Sequence, residues 1–443
     1  MKIVVVGCTH AGTAAVVNMK QLYPESDITI YEKNDNLSFL SCGIALNVGG
    51  VVKDTKSLFY NSPENLASQG IKTNMKHEVT NIDFDNKKIT AKNLLTDEVF
   101  EDSYDKLVLT LGSWPIVPNF EGKDLENIVL CKNHDHAQEI IKKSKESKNV
   151  VVIGAGYIGV ELAEAFEMQG KNITLIDAED RIMAKYLDKE FTDVCEKAFS
   201  DKGVKLALGQ KVQKFEGENG KVTKVITEKE TFEADLVVLC IGFKPNTELV
   251  KGKVDTLPNG AIIIDEYMQT SQKDVFAAGD CCVVKFNPAK EDRYIPLATN
   301  AVRMGTLVAK NLVNPTLKYM GTQGTSGIKI YDLCIASTGM TEEVAKNTTN
   351  LNIESVSIKD NHRPEFMPTF TEATVKLVYD KDTRKIVGGQ ILSTIDLTQF
   401  MNTLSVVIQN EMTIEELAMT DFFFQPHFNK PWSLLNAVAL KAL

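Results

Sequence analysis

No apolar stretch of the 443-residue sequence approaches the ~20 residues that a membrane-spanning helix needs. The apolar run at the N-terminus ends at Gly7 without a small-residue cleavage site, which argues against a signal peptide. A basic stripe is missing as well, and the formal net charge is −10, so the electrostatic footprint of a nucleic-acid binder is absent. We therefore expect a cytoplasmic protein that binds neither a membrane nor nucleic acid.

Cysteine pairs are also missing. The eight cysteines show neither zinc-ligand spacing nor a disulfide framework, which is typical of a reducing cytosol and predicts no metal site. The adjacent Cys281 and Cys282 would be strained if they were joined in a disulfide. We expect seven of the eight to be inert packing residues, namely Cys8, Cys131, Cys195, Cys240, Cys281, Cys282 and Cys334.

Size and composition predict a folded protein of several domains. Apolar residues make up 43% and charged residues 24% of the chain. At a typical ~150 residues per domain, this length corresponds to roughly three domains. Apolar runs that stop at a glycine, at 107–112, 236–242 and 275–280, are typical of buried parallel strands. After about residue 328 the pattern becomes mixed, with a hairpin predicted at 373–392 that turns at 380–385.

Two segments repeat one local plan, which is a short β-branched strand, a glycine loop, a helical pattern and a second strand that ends in an acid. The first comprises 3–12 and 29–32, and the second comprises 150–159 and 174–177. Two such units predict an α/β protein with two Rossmann-like dinucleotide-binding domains. Their combination indicates FAD together with a nicotinamide nucleotide.

The second loop, Gly-Ala-Gly-Tyr-Ile-Gly at 154–159, carries the complete dinucleotide fingerprint. Gly154 permits the tight turn, Gly156 lets the backbone approach a pyrophosphate, and Gly159 permits close packing of the helix. Asp177 lies 18 residues after Gly159, about where a ribose hydroxyl needs an acceptor.

Charged residues after this acid bear on the choice of coenzyme. Glu179 and Asp180 would repel the additional phosphate of NADPH, which favours NADH. Arg181 argues in the opposite direction, because an arginine can bind that phosphate.

The first loop, Gly-Cys-Thr-His-Ala-Gly at 7–12, departs from the fingerprint because Thr9 stands in place of the second glycine. Glu32 lies 20 residues after Gly12 at the end of a strand, as a ribose-binding acid would. This spacing favours FAD, while a core turn that binds nothing stays open. The position of His10 in the loop leaves a catalytic imidazole and an ordinary hydrogen-bonded residue equally open.

Cys42 is the candidate redox residue. It precedes a short helical run, and a thiol at a helix N-terminus is expected to have a lowered pKa and to react as a thiolate. Peroxide can oxidise such a thiolate to a sulfenic acid. The next cysteine is Cys131, so a local dithiol pair is excluded. Cys8 could approach Cys42 in space, but its place in the phosphate loop favours packing.

Four motifs resemble the pyridine nucleotide–disulfide oxidoreductase family, and more closely its branch of NADH oxidases, NADH peroxidases and coenzyme A-disulfide reductases. They are Gly-Cys-Thr-His-Ala-Gly at 7–12, Ser-Phe-Leu-Ser-Cys-Gly at 38–43, Gly-Ala-Gly-Tyr-Ile-Gly at 154–159 and Ala-Ala-Gly-Asp at 277–280. The resemblance covers essentially the whole chain. Cys-Gly-Ile-Ala-Leu at 42–46 is similar to water-forming NADH oxidases, whereas coenzyme A-disulfide reductases tend to have Pro-Tyr after Cys-Gly.

The resemblance implies an FAD-binding domain at 1–115 and 246–325, an NAD(H)-binding domain at 116–245 and a C-terminal α+β dimerisation domain at 326–443. It implies FAD contacts from Gly7, Thr9, His10, Ala11, Gly12, Glu32, Cys42, Thr110, Leu111, Gly112, Ser113, Lys132, Asp280, Leu297, Ala298 and Thr299. It implies NADH contacts from Gly154, Gly156, Tyr157, Ile158, Gly159, Asp177, Tyr186 and Gly242. Lys132 as a solvated surface charge and Tyr186 as a packing aromatic remain open.

The implied reaction is oxidation of NADH through FAD, with O2 or H2O2 as acceptor. Cys42 would cycle between thiolate and sulfenic acid with assistance from His10, and the acceptor favoured by the resemblance is O2 reduced to water. An NADH peroxidase, a coenzyme A-disulfide reductase and a flavin-binding sensor without turnover remain alternatives. The resemblance also implies a homodimer, and the aromatic run at 422–428 suits its interface. His427 would lie either near the partner's flavin or in a core segment.

Overall fold

The computed structural model describes residues 1–443. Its helices are α1 (His10–Leu22), α2 (Ile44–Val48), α3 (Pro63–Ser68), α4 (His134–Ser144), α5 (Tyr157–Glu167), α6 (Lys189–Asp201), α7 (Ala298–Asn311), α8 (Glu342–Thr348), α9 (Gln399–Gln409), α10 (Ile414–Ala418) and α11 (Leu434–Leu440). None of these helices combines the length and the apolar character required to span a bilayer.

The strands are short, and most belong to three five-stranded sheets. They are β1 (Lys2–Val6), β2 (Asp27–Glu32), β3 (Lys72–Met75), β4 (His77–Asp83), β5 (Lys88–Asn93), β6 (Val99–Ser103), β7 (Lys106–Leu109), β8 (Ser113–Pro115), β9 (Ile128–Leu130), β10 (Asn149–Ile153), β11 (Asn172–Ile176), β12 (Lys205–Ala207), β13 (Val212–Glu218), β14 (Lys221–Thr227), β15 (Thr231–Glu233), β16 (Leu236–Leu239), β17 (Phe243–Pro245), β18 (Val275–Ala277), β19 (Val284–Phe286), β20 (Glu291–Arg293), β21 (Ser326–Ile330), β22 (Leu333–Gly339), β23 (Ile353–Asn361), β24 (Glu372–Asp380) and β25 (Ile386–Ser393).

Two of the large sheets are parallel and share the arrangement of four strands, while the fifth strand comes from later in the chain in the first sheet and from before the unit in the second. The strand order is β18-β7-β1-β2-β3 in the first sheet and β12-β11-β10-β16-β9 in the second. The central strands β1 and β10 are apolar and almost wholly buried, as strands covered on both faces must be. Each pairs with the strand that follows its own helix and, on the other side, with a strand from much later in the chain. The prediction of two Rossmann-like units is confirmed.

The third large sheet is antiparallel, in the order β21-β22-β25-β24-β23. β24 and β25 form the predicted hairpin, and β23 pairs with β24 along its whole length. Helices α9, α10 and α11 contribute apolar residues to the core that covers this sheet. The C-terminal part is therefore α+β, as expected.

The close packing of two helices places α7 against the first parallel sheet. A Cβ atom at Gly305 in α7 would lie 2.2 Å from the carbonyl oxygen of Ala11 in α1, so only a glycine allows this approach. The start of α7 thereby comes to the same edge of the sheet as the start of α1.

Candidate functional site

Two cavities open at the carboxyl ends of the two parallel sheets. The first, of ≈550 Å³, is lined by the loop after β1, the end of β2 and the segments that follow β7 and β18. The second, of ≈650 Å³, is lined by the loop after β10, the end of β11 and the segment that follows β16. Both lie where the strand order reverses, which is the position at which open α/β sheets bind ligands.

The glycine loops have the same backbone at their first and last positions. Gly7 and Gly154 adopt φ angles of 89° and 104°, a region that disfavours side chains. A Cβ atom there would lie 2.5 Å and 2.4 Å, respectively, from a carbonyl oxygen of the adjacent strand segment. A Cβ at Gly12 or Gly159 would lie 2.3 Å or 1.8 Å from the carbonyl oxygen of the first glycine. All four positions therefore require glycine.

The acids that end the second strands also occupy equivalent positions. The backbone N–H of Cys8 donates to Glu32 Oε2 at 2.8 Å, and that of Ala155 donates to Asp177 Oδ2 at 2.5 Å. In each unit the carboxylate thus ties the glycine loop to the neighbouring strand. Both acids line their cavities, so each is available to a ligand as well.

Neither α1 nor α5 has a side chain that caps its first turn. A Cβ at Gly156 would meet only Tyr186 Cε2 at 3.9 Å, so the cavity side of that loop is open. In the first loop Thr9 lies at the helix start and lines the cavity. Uncapped N–H groups facing a cavity are a ready site for phosphate oxygens.

A polar cluster from three distant segments lies in the first cavity. Lys132 Nζ donates to Ser113 Oγ at 2.9 Å and to Asp280 Oδ2 at 3.1 Å. Ser113 Oγ donates to the same carboxylate oxygen at 2.8 Å. Lys132 also lies 4.5 Å from the centre of the Phe243 ring. The interpretation of Lys132 as a solvated surface charge is therefore wrong.

The remaining residues predicted for the first cavity fall into two groups. Ala11, Leu111 and Gly112 line it, and Thr110 donates its hydroxyl to the carbonyl oxygen of Gly7 at 2.6 Å, which supports the turn. Outside the lining, at the start of α7, lie Leu297, Ala298 and Thr299.

Cys42 lies in the short turn Ser41–Gly43 that leads into α2. It is exposed and unpaired. Ser41 lines the first cavity and Cys42 itself does not, but Lys132 and Asp280 of the cavity are close enough to influence its ionisation. The sulfur is therefore at the edge of the first cavity.

The expectation of a lowered pKa for Cys42 is wrong, because the protein groups around the thiol raise its pKa. Although the residue reaches solvent, surrounding protein atoms desolvate the thiol and raise its pKa, and the nearby Glu161 carboxylate raises it further. Lys132 acts in the opposite direction. Helix α2 has only five residues, so its dipole is too small to outweigh desolvation.

His10 is held by an aromatic neighbour that the sequence did not reveal. Its Nδ1 is 2.9 Å from Tyr60 Oη, and the two rings stack with centroids 5.7 Å apart. Burial lowers the pKa of His10. The Asp280 carboxylate acts to raise this pKa, and Lys132 lowers it further. The same two charges act on Cys42, so His10 and Cys42 lie at the same end of the cavity.

Glu161 in α5 is a second residue that sequence reasoning missed. Its carboxylate has no hydrogen bond or ion pair. Burial raises its pKa to about 7, and the nearby Glu164 carboxylate contributes to this rise. The one available signal was its spacing of four residues from Tyr157, which places both on one face of the helix. The sequence does not show that this face turns toward Cys42.

Comparisons with known proteins agree with this arrangement. A family model for pyridine nucleotide-disulphide oxidoreductases matches residues 1–305, and the model for the dimerisation domain of the same family matches residues 325–434. The chain belongs to the pyridine nucleotide-disulphide oxidoreductase family.

Relatives match along the full length of this family member. An NADH oxidase of Enterococcus faecalis is 58% identical and is covered over 99% of its length by 100% of this chain. A water-forming NADH oxidase from Lactobacillus brevis, solved with NADH bound, has a TM-score of 0.98 at 53% identity, with 100% of this chain and 98% of that chain covered. An engineered water-forming NADPH oxidase solved with NADPH has a TM-score of 0.98 at 52% identity, with the same coverage.

The second cavity of this oxidoreductase has two tyrosines at its edge. The rings of Tyr157 and Tyr186 are 4.5 Å apart, and Tyr186 lines the cavity while remaining 40% exposed. The Tyr157 hydroxyl is 2.7 Å from Ser326 Oγ on β21. Gly242 also lines this cavity, whereas Ile158 and Gly159 lie behind it.

Arg181 lines the second cavity but is paired within the protein. Its Nη2 donates to the Glu343 carboxylate and to the carbonyl oxygen of Ala184 at 3.2 Å, and its side chain is only 12% exposed. The argument that this arginine favours NADPH is weakened, because the Glu343 carboxylate offsets its charge.

The other cysteines are unpaired. Burial raises the pKa of Cys8 to about 12. The sulfurs of Cys281 and Cys282 are 3.7 Å apart, within hydrogen-bond distance, and do not form a disulfide. Packing roles are confirmed for the buried members of the set, Cys8, Cys131, Cys195, Cys281 and Cys282. No group of three or more His, Cys, Asp or Glu side chains is placed to hold a metal ion.

Most of the aromatic run at 422–428 is exposed, and only Phe422 packs against the C-terminal core. Phe423 is 68% exposed, and Phe424, Phe428 and His427 are exposed as well. The interpretation of His427 as part of a core segment is wrong, and the role of the run in an interface stays a prediction.

Proposed function

We propose that this chain is an FAD-dependent NADH oxidase that reduces O2 to water with the electrons of two NADH. The full-length likeness to a water-forming NADH oxidase, at a TM-score of 0.98 and 53% identity, carries the proposal. The unpaired Cys42 supports it, because a thiol without a partner suits a sulfenic acid cycle rather than dithiol exchange.

FAD belongs to the first cavity and NADH to the second. The uncapped start of α1, Glu32 and the cluster of Lys132, Ser113 and Asp280 would hold FAD. The loop after β10, Asp177 and Gly242 would hold NADH, with Tyr157 and Tyr186 at the edge. A bound FAD would supply electron transfer from NADH to oxygen.

Cys42 completes the reduction of peroxide to water. Its thiolate attacks one oxygen of hydrogen peroxide, the O–O bond breaks, and the sulfur becomes a sulfenic acid. The second oxygen leaves as hydroxide and takes up a proton to form water. Two electrons from another NADH, with a proton, then restore the thiol and release the second water. One O2, two NADH and two protons thus yield two waters and two NAD⁺.

His10 accepts the proton of the Cys42 thiol. Because burial lowers the pKa of His10, its imidazole is neutral near pH 7, and the bond from Nδ1 to Tyr60 leaves Nε2 without a protein partner. A neutral imidazole nitrogen is a competent base at this pH. Lys132 assists by favouring the thiolate electrostatically.

NADH is preferred over NADPH at the second cavity. Asp177 and Glu179 present carboxylates there, and negative charge repels the additional phosphate of NADPH. The Glu343 carboxylate, paired with Arg181, offsets the positive charge that would otherwise counter this repulsion.

The enzyme is a cytoplasmic homodimer. The match of its C-terminal part to a dimerisation domain supports a homodimer, and the exposed aromatic run at 422–428 suits the contact. Eight cysteines without a disulfide support a reducing compartment.

The stoichiometry of the purified holoenzyme tests the proposal. An oxygen electrode and NADH absorbance should give about half an O2 per NADH, and catalase should return no oxygen. Cys42→Ser should consume about one O2 per NADH and release peroxide, since the second half-reaction lacks its nucleophile. Cys334→Ser removes a thiol that lines neither cavity and should behave as the unchanged enzyme.

Five outcomes contradict the proposal. Stoichiometric peroxide from the unchanged enzyme rules out water formation, and water formation by Cys42→Ser rules out the cysteine cycle. Rapid anaerobic turnover with hydrogen peroxide and slow oxygen uptake would identify an NADH peroxidase, and turnover with coenzyme A disulfide a reductase of that disulfide. A yellow protein that NADH does not bleach would be a flavin-binding sensor.

A further inference from the structure

One wall of the second cavity is a loop rather than a helix or strand. The segment 177–188 joins β11 to α6, and its only local structure is a series of turns. A loop without its own hydrogen-bonded ladder is positioned by its external contacts. Eight of its residues line the cavity, among them Asp177, Glu179, Arg181 and Tyr186.

The end of this loop is anchored by a buried lysine of the C-terminal sheet. Lys376 on β24 is 4% exposed, and its Nζ lies 3.0 Å from Asp188, 2.7 Å from Glu190 and 2.8 Å from Glu342. Gln390 on β25 accepts the backbone N–H of Asp188 at 2.7 Å and donates to its carboxylate at 2.7 Å. Asp188 is therefore held from two neighbouring strands of one sheet.

The middle of the loop is anchored from the same side. Arg181 pairs with Glu343, which lies beside Glu342 in the first turn of α8. The backbone N–H groups of Glu342 and Glu343 also donate to the Asp188 carboxylate, at 3.1 Å and 3.4 Å. Both ends of the cavity-lining stretch 181–188 thus contact the start of α8.

A gain in folding stability does not by itself explain why Lys376 and its carboxylate partners are buried together. A buried ammonium surrounded by carboxylates costs desolvation energy that its ion pairs return only in part, and apolar residues would often serve as well. The buried side chains of Ile182, Met183 and Leu187 pack the loop into the second unit, and the charged contacts fix the position of its polar side, which lines the cavity. Ordering a free loop when a ligand binds would cost about 1–2 kcal/mol per residue, so holding it in place beforehand favours binding.

We propose that Lys376 and Glu343 of the C-terminal part are positioning residues for NADH, because they hold the 177–188 loop in its binding conformation. The inference rests on the proposed function, since it takes the second cavity as the NADH site. It assigns to the C-terminal part a role in coenzyme binding in addition to dimerisation.

Two variants and one control test the inference in the holoenzyme. Glu343→Gln removes the exposed half of the Arg181 pair and should fold normally, whereas Lys376→Met removes the buried anchor. Lys381→Met breaks an exposed pair with Glu354 on the same sheet and does not touch the loop. Each is measured for hydrogen exchange in 177–188, for NAD⁺ binding by calorimetry, and for KM and kcat with NADH.

In Glu343→Gln, exchange in 177–188 should rise while the rest of the chain is unchanged, and KM for NADH should rise about tenfold with kcat nearly constant. Lys376→Met should show the same split with a larger effect, and Lys381→Met none. Two results would overturn the inference. One is unchanged exchange and unchanged KM in Glu343→Gln, and the other is a fall in both kcat and the thermal midpoint without a change in KM. If the unchanged enzyme neither binds NAD⁺ nor oxidises NADH, the proposed function fails instead.

Discussion

The two cavities have equivalent glycine loops but differ in what forms their walls. In the first, the polar groups come from the ends of strands and are bonded to one another, as in the cluster of Lys132, Ser113 and Asp280. In the second, one wall is the 177–188 loop, which is held from outside by another sheet. A site built of strand ends suits a resident cofactor, whereas a site with a loop as one wall and an exposed tyrosine suits a coenzyme that enters and leaves at each turnover.

The largest expected effect is the loss of a different bound molecule when the first glycine of each glycine loop is replaced. Gly7→Ala should remove bound flavin and destabilise the protein by about 3 kcal/mol or more, since a Cβ there combines an unfavourable φ with a carbonyl clash. Gly154→Ala has the same local conflict but should retain flavin and lose NADH binding. Flavin absorbance per protein and calorimetry with NAD⁺ measure the two losses. Equal loss of flavin in both variants would contradict the division of roles.

The choice of coenzyme should shift by an intermediate amount. Asp177→Ala combined with Glu179→Ser should raise kcat/KM for NADPH relative to NADH about tenfold or more, because two carboxylates facing the additional phosphate are removed. Steady-state kinetics with both coenzymes give the ratio. Glu32→Ala, the equivalent change in the first cavity, is the matched control and should leave the ratio unchanged while it weakens flavin retention. A shift of the ratio in the control would mean that the cavities are not independent.

A smaller effect is expected on the pKa of Cys42, from a charge in the second βαβ unit. Glu161 belongs to the second βαβ unit but raises the pKa of Cys42 beside the first cavity. Glu161→Gln should therefore lower the pKa of the thiol, and Lys132→Gln should raise it. The rate of Cys42 alkylation against pH in the anaerobic, NADH-reduced enzyme gives this pKa, with Cys42→Ser as the blank. An upward shift in Glu161→Gln would show that the carboxylate does not face the sulfur.

The same carboxylate should make stability depend on pH. The pKa of Glu161 is raised from 4.5 to about 7 in the folded chain, so its stabilising contribution is complete below 4.5 and is lost as pH rises through about 7. Glu161→Gln should then gain of order 1 kcal/mol over the unchanged protein at pH 8 and nothing at pH 4.5. Thermal unfolding at both pH values measures this difference, and an equal gain at both would exclude titration as its cause.

Local rules in the sequence predicted the elements that carry the two cavities. Gly7 and Gly154 follow apolar strands, and Glu32 and Asp177 end the next strands at the usual spacing. Such features depend on neighbours within about 30 residues, so a single sequence reveals them. The antiparallel hairpin of β24 and β25 was predicted for the same reason.

Contacts between distant segments were not predictable in this way. Desolvation of the Cys42 thiol, to which Glu161 and Asp280 add and which Lys132 opposes, reversed the expected direction of its pKa, and these three charged residues come from separate regions of the chain. Tyr60 beside His10 and Lys376 beside Asp188 likewise lie far apart in sequence from their partners. Periodicity carries no information about which side chains meet across elements.

The amino-acid sequence alone determined the two dinucleotide-binding units, the acids that end their second strands and the absence of a cysteine close in sequence to Cys42. Each of these follows from backbone geometry or spacing along a short stretch of chain. Only the tertiary structure decided how the Cys42 thiol ionises, which residue pairs with Arg181 and what holds the wall of the second cavity. Those properties are sums of desolvation and charge over groups that the fold brings together, and such sums exist only once the chain has folded.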